Sequence, residues 1–333
     1  MRKALFVCTA IVVLFFWVSA SAGEIGRKFE IFKVPTQNAL PSRIVVDGND
    51  AIWVLEANAN KLGKFDPKEK VFAEYDIPTY RSFPSDIALD GAGVLWFTEQ
   101  DSNQLGMFDP KTGAFKEFDI PSIDSLPRRI ACDENGIIWF TEFYGNKIAR
   151  FDPGTETFTE YSIPTANSQP VGIAIGPKGI VWFIETKGNK LGQLDPESGK
   201  IKEYILPEPF LVPKDIVFGR DGGIWFGGRR NKKLMMFDPS NGSFDGFSLP
   251  VNGVIEGLAI DKAGNIIFSL GHAGRIGTMD IVSKEFLELK VVYGDSEPND
   301  IEVDPEGNIW FADISQNALI KVDGKQLVDL WMK

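Results

Sequence analysis

Val94-Leu95-Trp96-Phe97-Thr98-Glu99 returns 43 residues later as Ile137-Ile138-Trp139-Phe140-Thr141-Glu142, and once more as Ile180-Val181-Trp182-Phe183-Ile184-Glu185. Anchors Trp53, Trp96, Trp139, Trp182 and Trp225 keep that interval; Ile267 follows 42 residues on, and Trp310 43 after that. Thirteen residues past each anchor stands an aspartate: Asp66, Asp109, Asp152, Asp195, Asp238, Asp280 and Asp323. A fixed period of this length marks a repeat architecture. Positions that recur in every unit build the unit, and positions that break the pattern are candidates for function.

Each unit reads as four short strands. In the second, Asp86–Asp90 alternates around Ile87 and Leu89, and Gly91-Ala92-Gly93 turns the chain. Val94–Glu99 is apolar enough to be buried on both faces. Leu105–Phe108 and Ala114–Ile120 follow, separated by Asp109-Pro110-Lys111-Thr112-Gly113. Short strands bounded by Gly, Pro, Asp and Asn at regular spacing are an all-β signal. Four antiparallel strands per repeat predict a seven-bladed β-propeller, because a lone blade would leave apolar faces exposed and stacking buries them.

The blades are expected at about 41–78, 84–121, 127–164, 170–207, 213–250, 255–292 and 298–333. Phe29-Glu30-Ile31-Phe32-Lys33-Val34-Pro35 matches a fourth strand with no blade before it, compare Phe72-Ala73-Glu74-Tyr75-Asp76-Ile77-Pro78. This N-terminal strand is predicted to close the last blade and cover its sheet edge. Leu327–Leu330 competes for the same outer position.

Residues 1–22 are read separately. Arg2 and Lys3, the apolar run Leu5–Val18 and the small residues Ala20-Ser21-Ala22 form a secretory signal peptide. The expectation is a periplasmic or secreted protein, a single domain over 23–333, with no stable membrane insertion after cleavage. The remainder carries 33 basic and 46 acidic residues, a net charge of −13. That charge makes nucleic acid an unfavourable partner. Cys132, on an apolar strand, reads as a small core residue. A monomer is expected.

There is one histidine, His272, so a cluster of histidine ligands is impossible. No paired-cysteine zinc motif, phosphate-binding glycine loop or Gly-x-Ser-x-Gly elbow occurs. Any catalysis falls to carboxylates, amides, Lys or Arg, with or without a hard metal.

The start of each first strand, the loop between strands two and three, and the link between blades share one face, the channel mouth. There the ring positions read Ser42, Ser85, Arg128, Val171, Lys214, Glu256, Asn299, and next Arg43, Asp86, Arg129, Gly172, Asp215, Gly257, Asp300. These vary while the scaffold does not. Arg128, Lys214 and Asp215, with the link residues Tyr80, Phe83, Phe210 and Tyr293 as an apolar rim, are candidate ligand-binding residues. A recurrent acid after the anchor (Glu56, Glu99, Glu142, Glu185, Asp313) and a recurrent amide (Asn60, Asn103, Asn146, Asn189, Asn317) are expected to tie down loops. Gly227–Lys233 and Leu270–Gly274 break that pattern.

The motifs Leu95-Trp96-Phe97-Thr98-Glu99, Asn60-Lys61-Leu62-Gly63 and Glu117-Phe118-Asp119-Ile120-Pro121 typify units whose likeness runs through all seven repeats. In these the chain resembles the virginiamycin B lyase (streptogramin lyase) family. The resemblance implies a propeller that opens a cyclic depsipeptide antibiotic by eliminating its ester, a route to antibiotic resistance, with a magnesium ion and a histidine base. The family motif at the last blade is Glu-Pro-His, and the chain has Glu297-Pro298-Asn299; the preceding blade has Glu256 at the second histidine position. An amide is no general base near neutral pH. By the resemblance, Glu256 and Asn299 occupy the catalytic positions, and Glu297, Asp300 and Asp313 are the candidate metal ligands, suited by their oxygens to Mg²⁺ or Ca²⁺. His272, in a loop after a second strand, is expected to lie away from the site.

Three readings follow. The first is an exported propeller binding a small molecule, glycan or peptide at the mouth, without the family's histidine base. The others are a metal-dependent carbon–oxygen lyase and a gluconolactonase-like lactone hydrolase.

Overall fold

The computed structural model describes residues 29–209, 211–228, 232–290 and 295–324. Segment 1–22, expected to be a signal peptide, and Phe210, Arg229–Asn231, Tyr293 and Leu327–Leu330 lie outside them. Among the described residues, seven antiparallel sheets of four strands each form the ring of a propeller. Blade two is typical: Pro84–Leu89, Leu95–Glu99, Gln104–Asp109 and Ala114–Asp119 run from the channel outward. Burial peaks at the second strand and falls outward from it. Leu95–Glu99 is buried throughout, whereas Ala114–Asp119 alternates exposed and half-buried residues.

The N-terminal strand closes the ring. Phe29–Lys33 is the outer strand of blade seven, with Phe29 opposite Val322 and Lys33 opposite Ala318. Val34 N–H extends the pairing to Asn317 O at 3.0 Å. The last blade therefore joins both ends of the chain.

The 43-residue period has a packing cause. The tryptophan of one blade lies against the residue that precedes the recurrent aspartate of the next. Trp53 meets Phe108 at 5.7 Å between ring centroids, Trp96 meets Phe151 at 5.7 Å, and Trp182 meets Phe237 at 5.7 Å. Trp310 meets Phe65 at 5.8 Å, which carries the same contact across the closure. Such pairs add about 0.5–1.5 kcal/mol beyond the area they bury. The six tryptophan anchors, Trp53, Trp96, Trp139, Trp182, Trp225 and Trp310, are at most 3% exposed, as their periodicity implies.

A second device fixes each indole. The aspartate that follows strand one accepts the indole N–H: Trp53 to Asp47 at 2.9 Å, Trp96 to Asp90 at 3.1 Å, Trp139 to Asp133 at 3.2 Å and Trp310 to Asp304 at 2.9 Å. The same carboxylates cap the turn to strand two, as Asp90 does for Ala92 N and Val94 N. Cys132 is half-buried, and burial pushes its thiol pKa up, in keeping with a core role.

Candidate functional site at the channel mouth

The recurrent amides hold the mouth in shape. Asn60 donates to Ile77 O at 3.1 Å and Thr79 O at 3.0 Å, and accepts from Ser82 N at 2.9 Å. Asn103 and Asn146 repeat this, and Asn317 does so across the closure. The link then turns through a left-handed residue just before a proline: Leu40, Phe83, Leu126, Gln169 and Val212 all have φ between 47° and 57°. Non-glycine residues avoid that region, so the mouth is built on a backbone the pinned links enforce.

The recurrent acids behave differently from a loop tie. Glu56, Glu99, Glu142 and Glu185 are fully buried. Each faces a glutamate of strand four (Glu74, Glu117, Glu160 or Glu203) across a small residue of strand three. A Cβ at Gly63 would lie 2.6 Å from Glu56 Oε1, which explains why that residue is small. Burial first, then the neighbouring carboxylate, pushes these acids up to about 8, 7, 8 and 8. Blade five confirms the steric logic. Both acids are replaced by glycine, Gly228 and Gly246, and the buried Met235 takes the space. Asp313, in contrast, does tie its loop: it accepts from the Ser296 hydroxyl, Glu297 N at 3.2 Å and Gln316 N at 3.0 Å.

Inside the channel, Arg43 sits among carboxylates. Its Nε is 2.7 Å from Asp86, Nη1 is 2.7 Å from Asp300, and Nη2 is 3.7 Å from Asp215. Arg129 adds a contact to Asp86 at 3.4 Å. The other oxygens stitch blades together: Asp300 accepts from Ile44 N at 2.8 Å, Asp86 from Ile130 N at 2.9 Å and Asp215 from Leu258 N at 3.2 Å. Burial raises Asp86 and Asp300 to about 6, against the pull of Arg43. Burial opposes charge on Arg43 too, but Asp300, Asp86 and Asp215 hold its pKa above the ordinary value. Glu302 joins them in a channel cavity of about 160 Å³, raised to about 8 by burial and by Asp300.

The mouth above this cluster holds the other candidates. Lys214 Nζ is 2.5 Å from Glu256 Oε2. Asn299 donates to Ser42 O at 2.7 Å. Arg128 is half-buried with its guanidinium 5.1 Å from the Phe143 ring; its Nε has no partner, and burial lowers its pKa. Beside it Tyr144 is exposed, and Tyr80 on the first link is 79% exposed with Arg81 over its ring. Phe83 is half-buried. Phe210 and Tyr293 are outside the described residues.

The expected metal ligands are not brought together. Asp300 lies in the channel on Arg43, Asp313 is buried beneath its loop, and Glu297 Oε1 is 2.8 Å from His272 Nδ1. Among the described residues no group of three or more His, Cys, Asp or Glu side chains is placed to hold a metal ion. As arranged, these residues do not fit Mg²⁺ or Ca²⁺, and no step is derived through one.

His272 corrects an expectation. It does sit in the loop after a second strand, within the turn Gly271–Ala273, but that loop belongs to the mouth face. Its ring reaches across to the link entering blade seven, and its side chain is 73% exposed. The signal was present in the repeat itself, since loops after strand two and links between blades share one face.

A family model described as the virginiamycin B lyase family matches residues 15–157 and 153–331. No curated protein sequence matches the chain. Among solved structures, selenomethionine-substituted virginiamycin B lyase from Staphylococcus aureus is similar at 29% identity and TM-score 0.83, covering 88% of this chain and 98% of that one. A streptogramin B lyase structure is similar at 27% identity and TM-score 0.84, covering 89% and 97%. A catalytically inactive histidine-to-alanine variant of the S. aureus enzyme with quinupristin is similar at 28% identity and TM-score 0.83, covering 88% and 98%.

Proposed function

The chain belongs to the virginiamycin B lyase family, and on that premise we propose that it is an exported propeller that binds a peptide-like small molecule at the channel mouth. The observation that carries this reading is Arg128. Its guanidinium is half-buried, stacked on Phe143, and in no ion pair among the described residues. A desolvated cation of this kind favours a ligand carbonyl or carboxylate. Tyr80 and Tyr144 supply exposed aromatic surface for the ligand's apolar body. A cyclic depsipeptide, rich in carbonyls and apolar side chains, has that chemistry. Calorimetric titration of quinupristin, the molecule present with the S. aureus variant, into wild type and Arg128→Gln tests it.

A second reading is favoured by one contact. With Nδ1 of His272 donating to Glu297, Nε2 is left as the basic nitrogen of an exposed side chain. It could take the proton α to a carbonyl; the electron pair forms the carbon–carbon double bond and the carbon–oxygen bond of the β-ester breaks, releasing a carboxylate. Glu256, the other candidate base, is engaged by Lys214. Mass spectrometry of quinupristin after incubation separates the readings. Linearisation abolished by His272→Ala supports the lyase, and an unchanged mass with saturable binding supports the binding reading.

A further inference from the structure

Blade four breaks the indole clamp. The residue after strand one reads Asp47, Asp90, Asp133, Gly176, Gly219, Asp261 and Asp304 around the ring. Blade five replaces the missing carboxylate from two residues on, with Trp225 Nε1 3.3 Å from Asp221. Blade four has no substitute. Trp182 is 3% exposed, and its N–H, with no acceptor among the described residues, is not among the donors sealed from solvent: the residue lines an open cleft. A Cβ on Gly176 would stand 3.1 Å from Trp182 Nε1, so the donor faces the space of the absent side chain.

The same tryptophan lines a cleft of about 500 Å³ between blades four and five. Ile180, Phe218 and Met236 complete its apolar wall. Its other lining residues, Pro177, Asp221, Gly222, Pro239 and Ser240, lie at the turns joining strands one and two or three and four, hence on the face opposite the mouth. Gln193 also borders it; its Oε1 accepts from the Tyr204 hydroxyl at 3.0 Å, which leaves its amide N–H₂ as a second donor. Asp238, on the rim, is held below the usual carboxylate range by Ser240 and so remains charged, which repels an anion. A volume of roughly 300–1,000 Å³, largely apolar with a few fixed polar groups, is typical of small-molecule sites.

We propose that this cleft binds a neutral small molecule with an apolar ring and a carbonyl acceptor, the carbonyl receiving the Trp182 N–H. The site is separate from the mouth and does not depend on its function.

The test uses benzamide as the neutral probe and benzoate as its anionic counterpart. In ¹H–¹⁵N spectra of the full-length mature protein, the indole signal that disappears in Trp182→Phe is the Trp182 N–H. That signal is expected to move saturably with benzamide and not with benzoate. Gly176→Asp restores the clamp of the other blades on a backbone that accepts it (φ −94°, ψ −176°), with Phe218 yielding slightly. It should keep or raise the melting temperature and abolish the shift. Trp182→Phe should weaken benzamide binding roughly two- to tenfold in ligand-observed relaxation, the worth of one hydrogen bond. No saturable shift in wild type, an equal shift in Gly176→Asp, unaltered affinity in Trp182→Phe, or benzoate bound as well as benzamide would each overturn the proposal. Should Gly176→Asp fail to fold, the Trp182→Phe measurement decides.

Discussion

His272 Nδ1 lies 2.8 Å from Glu297 Oε1, joining the strand-two loop of blade six to the link that enters blade seven. The chain's single histidine is thus part of the mouth, paired with Glu297. It changes which residue would serve as a base. Glu256 is tied to Lys214 and Asn299 to Ser42 O, whereas the histidine is exposed.

The buried glutamates predict how stability depends on pH. Glu56, Glu99, Glu142 and Glu185 keep their protons in the fold up to about 8, 7, 8 and 8, against an ordinary value of 4.5. The unfolded chain releases them earlier, so it binds fewer protons between those limits. Their stabilising contribution is full below the ordinary value and is lost as pH rises through about 7–8. Glu74, Glu160 and Glu203 are held below the ordinary value by their Thr, Ser and Lys partners, against the opposing effect of burial, and act oppositely in acid. The melting temperature should peak in mild acid and fall towards pH 8. Melts across that range check it, and Glu56→Gln should flatten the slope. A melting temperature that rises from mild acid to pH 8 would refute the protonated state.

Arg43 offers a second test. It compensates Asp86, Asp300 and Asp215 inside the channel. Arg43→Met leaves these carboxylates buried and partly uncompensated, a change that costs about 3–5 kcal/mol in comparable buried pairs. Urea melts of the variant should show a loss of that order, and a shift below about 1 kcal/mol would mean that the cluster is hydrated rather than buried.

Parts of the structure differ in how far the sequence reveals them. Trp96 and its equivalents are legible because every blade must bury the same face against the next, which imposes the period. Phe29–Lys33 is legible as an orphan strand for the same reason. Arg43 and Asp300 become neighbours only when the ring closes, so their separation along the chain hides the pair. His272 is legible only from the face its loop occupies, which its place within the unit does not state by itself. The glutamate pairs were visible as a recurrent acid, but the protonation that burial imposes depends on Gly63 and its counterparts bringing two strands' side chains together.

The metal expectation has its own check. Glu297 is paired with His272, Asp300 with Arg43, and Asp313 with its own loop. Calorimetric titration with Mg²⁺ or Ca²⁺ should therefore give no saturable heat that depends on these three. Saturable binding lost in Glu297→Gln/Asp300→Asn would contradict this arrangement and restore the metal site.

The most direct test of the central claim is the affinity of the mouth for quinupristin, measured calorimetrically for wild type and Arg128→Gln at neutral pH. The account predicts saturable binding by wild type, weakened roughly tenfold or more in the variant, as loss of a hydrogen bond to a charged group of about 1.5–3 kcal/mol would give. No binding by wild type, or equal binding by both proteins, would contradict the claim that Arg128 makes the mouth a ligand site.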